Sequence, residues 1–138
     1  MKLFKNKHTL TIRFDKDEEV MQKLGKFIIE EKITSGYFAI IGSTKEVILS
    51  YYNLKSKQFE DHPIEEDLEV VSVTGNIAWM NETPVIHAHG VFSRSDLSTL
   101  GGHIKKLVVS ATCEVMLTID DTTVTRTHDV ETGLNLLS

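Results

Sequence analysis

Strand patterns recur along most of the chain, whereas a single segment has the periodicity of a helix. In His8–Phe14 the apolar residues Leu10, Ile12 and Phe14 alternate with polar ones, which is typical of a half-buried strand. Further strands are predicted at 37–41, 46–52, 68–79, 85–92, 107–119 and 124–128, with a short one at 58–60. Parallel pairing would demand a crossover between nearly every pair of strands. The pattern therefore predicts an α+β fold, an antiparallel β-sheet with one main flanking helix.

Capping and turn residues indicate how these segments are connected. Asp15 followed by Glu18 is a capping signature, so we expect the helix to begin at Asp15 and to end near Lys32. Gly42–Lys45 separates two strand patterns and predicts the turn of a hairpin, and Gly75 indicates a bulge or a close backbone approach. The apolar face of the helix contains Val20, Met21, Leu24, Phe27 and Ile28.

Length and composition are those of an ordinary globular protein. The 138 residues, 41% hydrophobic and 25% charged, predict a single domain spanning 1–138. The one cysteine cannot form an internal disulfide, and lysines interrupt the amino terminus where a signal peptide needs an apolar run, so we expect a cytoplasmic protein that does not enter a membrane. The net charge of -5 opposes direct binding to nucleic-acid phosphates.

Three of the six histidines lie within one short segment, HAHGVFSRSDLSTLGGH. His87 and His89 are two residues apart on a predicted strand, so both imidazoles point to the same face. The Gly101–Gly102 pair before His103 predicts a loop that folds back and brings a third imidazole to the same point. Three histidines with an open fourth position describe a zinc-like site, although His-x-His pairs also occur as solvent-facing residues.

The remaining candidate residues are more ambiguous. Asp96 and Glu114 are the carboxylates that we consider for moving a proton at such a site or for orienting its histidines. Cys113 is predicted to be a small core or interface residue rather than a thiolate ligand. The other histidines are isolated in the sequence, and we expect them at the surface or in the core: His8, His62 and His128.

Several segments in order resemble the plant and prokaryote conserved domain, the PPC or DUF296 family. The paired histidine signatures are Val85–His89 and Gly101–Ile104. The resemblance covers about residues 8–137. Its other segments are Arg13 with Asp15–Glu19, Phe38–Ser43, Ser72–Ile77, Ala111–Val115 and Thr132–Leu134.

The resemblance implies an antiparallel α+β domain that assembles as a homotrimer. It also implies that His87, His89 and His103 bind a divalent metal, expected to be zinc. The family is similar in fold and in histidine arrangement to acetolactate decarboxylase, a zinc lyase, but this chain is far shorter and shows no match for the other catalytic residues of the lyase. Plant members bind DNA through a separate Arg-Gly-Arg core, which this sequence lacks.

Three functions follow from these observations, in decreasing order of support. The first is a trimeric metal-binding module with a regulatory or protein-interacting role, because the sequence contains no convincing catalytic set. The second is a zinc-dependent small-molecule lyase or hydrolase, in which the metal would polarise a carbonyl oxygen or activate water and Glu114 or Asp96 would move the proton. The third is a transcriptional role in which the trimer contacts DNA directly or through a protein partner.

Overall fold

The computed structural model describes residues Met1 to Ser138, which form nine strands and one helix. All strand pairings are antiparallel, and seven strands form one sheet in the order β1-β2-β7-β6-β5-β3-β4. The predicted α+β fold is therefore confirmed. The elements are β1 (Lys2–Lys5), β2 (Thr9–Asp15), α1 (Val20–Glu30), β3 (Ser35–Asn53), β4 (Gln58–Ile64), β5 (Leu68–Met80), β6 (Thr83–Ser93), β7 (Thr99–Asp120), β8 (Arg126–His128) and β9 (Asn135–Leu137).

The two longest strands, β3 and β7, organise the sheet. β7 has 22 residues and pairs with β2, β3 and β6, while β3 has 19 residues and pairs with β4, β5 and β7. Because β3 pairs with β7 as well as with β5, the four strands β3, β5, β6 and β7 form a closed ring of pairings. The short strands β8 and β9 make a separate C-terminal ribbon.

The prediction of a hairpin turn at Gly42–Lys45 is wrong. These residues lie inside β3, where the register against β7 shifts between Gly42 and Thr44 and again between Thr44 and Glu46. A bulge of this kind bends a strand without ending it. The buried Thr44 hydroxyl donates to the carbonyl of Val108 at 2.6 Å and so fixes the bulge against β7.

The helix begins later than the capping signature predicts. Its N-cap is Glu19, whose carboxylate accepts hydrogen bonds from the backbone N–H groups of Met21 (3.1 Å) and Gln22 (2.5 Å). The same carboxylate accepts from the N–H of Leu107 at 2.9 Å, which ties the start of the helix to β7. Asp15 instead ends β2, because that strand pairs with β7 as far as this residue. The helix ends at Glu30, two residues before Lys32.

The hydrophobic core lies between the helix and the inner face of the sheet. Leu10, Ile12 and Phe14 are at most 2% exposed, which confirms the alternation predicted for β2. The helix buries four of the five residues of its predicted apolar face: Val20, Leu24, Phe27 and Ile28. The helix has 11 residues, and no helix of the protein has the length and apolar character needed to cross a membrane.

Gly75 marks a close approach and not a bulge, since the register of β5 shifts elsewhere, between Val70 and Ser72. A Cβ atom at Gly75 would lie 2.6 Å from the carbonyl oxygen of His87 and 2.8 Å from Cε1 of Phe38. Both distances are far shorter than a van der Waals contact, so a larger residue must push β6 or the Phe38 ring away.

We expect Gly75→Ala to lower the free energy of unfolding by about 1–3 kcal/mol, the usual cost of overpacking. The matched control is Gly25→Ala in the helix, where the added Cβ meets only Ile86 Cδ1 at 3.9 Å. This control should gain about 0.5–1 kcal/mol, because alanine loses less backbone entropy than glycine. Urea unfolding at one protein concentration measures both, and equal effects of the two substitutions would contradict the close approach.

Candidate metal centre

The three motif histidines lie together on the outer face of the sheet. His87 and His89 are two residues apart on β6 and point outwards, while Ala88 between them is 1% exposed on the inner face. His103 lies on β7 directly opposite His89. Residues directly opposite one another in an antiparallel pair point to the same side, so the three imidazoles share one face.

His103 reaches this position by strand pairing and not by the loop that its glycine pair predicts. β7 begins at Thr99, so Gly101, Gly102 and His103 are already part of the strand. A Cβ atom at Gly101 would lie 2.5 Å from the carbonyl oxygen of Gly90. The glycine is therefore needed because it lets β6 and β7 approach closely beside the histidines.

The geometry of the cluster suits one metal ion. The Nε2 atoms of His87 and His89 are 3.1 Å apart, and one ring nitrogen from each histidine can be chosen so that all three lie within 4.8 Å of one another. Three nitrogens bound at about 2.0–2.1 Å to one tetrahedral zinc ion stand roughly 3.3 Å apart. Small rotations of the rings therefore bring the three nitrogens to bonding distance around a common centre.

The electrostatics of the cluster also favour ligation. Burial, with smaller contributions from His87 and His89, lowers the pKa of His103 to about 4. The pKa of His87 is also lowered, first by burial and then by the charges of His89 and Arg126. Only a neutral imidazole has a lone pair for a metal ion. His87 and His103 are thus held at neutral pH in the form that binds metal.

Strand β4 forms one side of the site. The Phe59 ring packs against the His103 ring with centroids 5.0 Å apart, and the Lys105 ammonium lies over the Phe59 ring at 5.0 Å. Lys105 forms an ion pair with Asp61 at 2.7 Å, and the buried Ser50 hydroxyl donates to the same carboxylate at 2.7 Å. Ser50 lies directly opposite both Asp61 and His103, so these three residues form a row across β4, β3 and β7.

The C-terminal ribbon contributes to the opposite side. Asn76 on β5 lies directly opposite His87, and its side-chain oxygen accepts a hydrogen bond from Arg126 Nη2 at 2.8 Å. Arg126 Nη1 donates to the carbonyl of Asn135 at 2.7 Å and so links β8 to β9. Sequence reasoning did not identify Phe59, Asp61 or Arg126, because each comes from a strand remote in sequence from the histidine motifs.

The two carboxylates considered from the sequence lie outside the histidine cluster. Asp96 is exposed on the loop between β6 and β7, where its carboxylate accepts from the backbone N–H of Ser98 at 2.9 Å. Glu114 is exposed on β7, opposite Arg13 and Ile41. Their role in proton transfer stays a prediction. The three isolated histidines also lie outside the cluster: His8, His62 and His128.

The chain belongs to the family of the Plants and Prokaryotes Conserved (PCC) domain, whose sequence profile matches residues 1–119. The domain boundaries 1–138 stay a prediction. No curated protein matches the chain.

Three crystal structures resemble the whole chain. A candidate DNA-binding protein of Bacteroides thetaiotaomicron is 29% identical, with a TM-score of 0.96 over 99% of this chain and 96% of that one. A candidate DNA-binding protein of Ralstonia eutropha is 30% identical, with a TM-score of 0.93 over 99% and 95%. A metal-containing protein of Archaeoglobus fulgidus is 25% identical, with a TM-score of 0.85 over 99% and 98%.

The expected similarity in fold to acetolactate decarboxylase is also confirmed. The enzyme from Bacillus subtilis strain 168 gives a TM-score of 0.59 at 15% identity, over 88% of this chain and 57% of the enzyme. At this identity the similarity concerns the fold alone.

Cys113 lies in the core, as the sequence predicts. Its side chain is fully buried, and Sγ is 3.5 Å from the carbonyl oxygen of Ser43. Burial raises the pKa of the thiol to about 11. Because Cys113 does not belong to the histidine cluster, it is no candidate ligand of the same metal.

We expect Cys113 to react very slowly with a thiol-specific disulfide reagent at pH 8 in the native protein. With a pKa of about 11, only about one thiol in a thousand carries the reactive negative charge at that pH. In urea the pKa should return towards about 8.5, and the reaction should be complete within minutes. Rapid labelling of the native protein would contradict this burial.

Proposed function

We propose that the protein is a metal-binding module in which His87, His89 and His103 hold one divalent ion, with zinc as the expected metal. The observation that carries the proposal is the convergence of three imidazoles from two neighbouring strands within 4.8 Å. Imidazole ligands also suit nickel, copper and iron, so the three histidines limit the choice of metal but do not identify it. The description of the archaeal relative as metal-containing supports the same assignment.

The surrounding residues have separate tasks in this proposal. Phe59 packs against the His103 ring and limits its rotation, and the row from Ser50 to Asp61 keeps the adjoining strand in register. A zinc ion bound by these three histidines would supply Lewis acidity at an open coordination position. The imidazole of His89 is exposed, so a ligand from solvent would be able to reach the histidines.

We propose further that the protein assembles as a homotrimer through the part of the outer face formed by β3 and the C-terminal half of β7, which leaves the histidines on β6 and at the start of β7 uncovered. Tyr37 and Ile41 on β3 and Met116 on β7 expose 56%, 46% and 38% of their surface on this face. Ala39, between the two β3 residues, lies directly opposite Met116, so the exposed apolar side chains are neighbours. Adjoining apolar side chains at the surface are typical of an interface between subunits.

The role that fits these properties is regulatory and acts through a protein partner. Two relatives are described as DNA-binding proteins, but this chain has a net charge of -5, which repels the phosphate backbone. Direct binding would show itself as an affinity for DNA that falls steeply with salt. Absence of DNA binding at low salt would leave the partner-mediated role.

A zinc-dependent lyase is the second candidate, favoured by the exposure of His89 in the cluster and by the fold shared with acetolactate decarboxylase. Of the carboxylates, Asp61 lies in the row across the sheet that also contains Ser50 and His103, whereas Asp96 and Glu114 lie outside that row. Its hydrogen bonds from Lys105 and Ser50 lower its pKa, so Asp61 would act on a ligand as a charged group and hydrogen-bond acceptor more readily than as a base. Turnover of a 2-hydroxy or 2-keto acid that disappears in Asp61→Asn with zinc retained would favour the lyase.

The metal proposal is tested by elemental analysis of protein purified without a histidine tag. We expect close to one equivalent of a divalent metal per chain, and a melting temperature that falls when a chelator removes it, because an ion that binds only the folded state stabilises that state. His103→Ala should reduce the metal content to a small fraction. The control is His8→Ala, which removes an exposed histidine outside the cluster and should leave the content unchanged.

No stoichiometric metal in the wild-type protein after growth and refolding with zinc would overturn the proposal. Equal metal content in His103→Ala and the wild type would overturn the ligand set.

The trimer is tested by sedimentation equilibrium, which should give three times the chain mass of 15.6 kDa. Ile41→Glu places a charge on the apolar face and should shift the protein towards monomer at micromolar concentration. Ile29→Glu is the matched control, because Ile29 is 56% exposed on the helix, away from the sheet face. A monomeric wild type, or equal dissociation by both substitutions, would contradict the proposed interface.

A further inference from the structure

Arg126 differs from the other two arginines of the chain because it has no carboxylate partner. Arg13 pairs with Asp15 at 2.6 Å and Arg94 pairs with Glu66 at 2.9 Å. Arg126 forms no ion pair, although only 9% of its surface is exposed, and its Nε–H, like that of Arg13, is buried without an acceptor. Arg126 is thus a buried cation whose charge no acidic side chain of the chain neutralises.

The hydrogen bonds of Arg126 explain its position but not its charge. Nη1 donates to the carbonyl of Asn135 and Nη2 donates to the side-chain oxygen of Asn76, so the guanidinium holds the C-terminal ribbon against β5. A neutral amide side chain has donors for both contacts. Burying an unpaired charge is much less favourable than burying a neutral group, so the two hydrogen bonds alone do not account for an arginine at this position.

The charge lies beside the histidine cluster. The acceptor Asn76 is directly opposite His87 and on the same face of the sheet, and Arg126 Nη2 lies 2.8 Å from the side-chain oxygen of Asn76. On the other side of the cluster Lys105 already has a counter-charge in Asp61 at 2.7 Å. A divalent ion bound by the histidines would therefore lie next to one further positive charge that nothing neutralises.

We infer that Arg126 is the anion-recognition residue of this site and that the ligand is a small carboxylate. The inference rests on the proposed metal function. With the metal bound, one oxygen of the ligand would complete its coordination, and a carboxylate oxygen would accept a hydrogen bond from Arg126. A guanidinium presents its donors in a planar fork that matches a carboxylate, which distinguishes it from the compact charge of a lysine. The bound anion supplies the negative charge that the folded chain lacks at this point.

The experiment is calorimetric titration of the zinc-loaded protein with acetate, malonate and succinate, after the zinc content of each sample has been measured. Because the three carboxylates differ in length, the one that binds most tightly indicates the distance between the metal and the guanidinium. We expect the wild type to bind at least one of them. Arg126→Gln should bind it about tenfold to a hundredfold more weakly, the usual loss when a hydrogen bond to a charged group is removed.

Matched variants separate recognition from general effects of charge. Arg126→Lys keeps the charge but not the planar fork and should recover only part of the affinity. Arg94→Gln removes an arginine that already has its own carboxylate, so it should bind like the wild type. The zinc content should be the same in all four proteins, because none of these changes touches a histidine.

A second measurement needs no variant and so does not depend on the folding of Arg126→Gln. In nitrogen-15 spectra of the zinc-loaded wild type, the Nε–H signal of Arg126 should shift on addition of the carboxylate, whereas that of Arg94 should not. An unchanged Arg126 signal at saturation would overturn the inference.

Three further outcomes would also overturn the inference. They are equal affinity in Arg126→Gln and the wild type, no binding of any of the three carboxylates by zinc-loaded protein, and a change of oligomeric state in Arg126→Gln. The last outcome would mean that a carboxylate of a second copy of the chain neutralises Arg126. A wild type that does not take up zinc would instead refute the metal function itself, and this is seen before any carboxylate is added.

Discussion

The pairing of β7 with three different strands is the constraint on which the rest of the structure depends. Along its 22 residues β7 pairs first with β6, then with β3, and finally with both β3 and β2. His103 lies at the first of these changes, opposite His89 on one side and Ser50 on the other. The histidine cluster thus lies where β7 leaves one neighbouring strand and joins the next. The Glu19 carboxylate adds the helix to the same strand through the N–H of Leu107.

Apolar alternation and helical periodicity were sufficient to predict most of the fold, because burial of one face imposes these periods on the sequence. They predicted β2 and the buried face of the helix. They failed where the same residue types are typical of two different local structures. Gly42–Lys45 suits a hairpin turn and a bulge equally well, and only the long-range pairing of β3 with β7 decides for the bulge. β1 was missed because all four of its residues are exposed and carry no alternation.

Only the part of the candidate site that lies on a single strand was predictable from the sequence. His87 and His89 follow from a two-residue spacing on one strand, whereas the position of His103 depends on the register between β6 and β7. The positions of the flanking groups depend on strand pairings that are more remote in sequence. Asp61 lies on β4, and Arg126 lies on β8, a strand of three residues. No local pattern connects these residues to the histidines, so the carboxylates considered from the sequence were chosen by proximity in the chain and lie elsewhere in space.

The C-terminal ribbon brings to the histidines a residue from a different stretch of the chain. The family profile matches residues 1–119 and so includes the three histidines, but the ribbon with Arg126 and Asn135 lies beyond it. In the proposed site, the residues that would retain the ion and the residue that would select the anion therefore come from separate stretches of the chain. Substitutions in this short terminal segment would then alter the choice of anion without any disturbance of the sheet that carries the histidines.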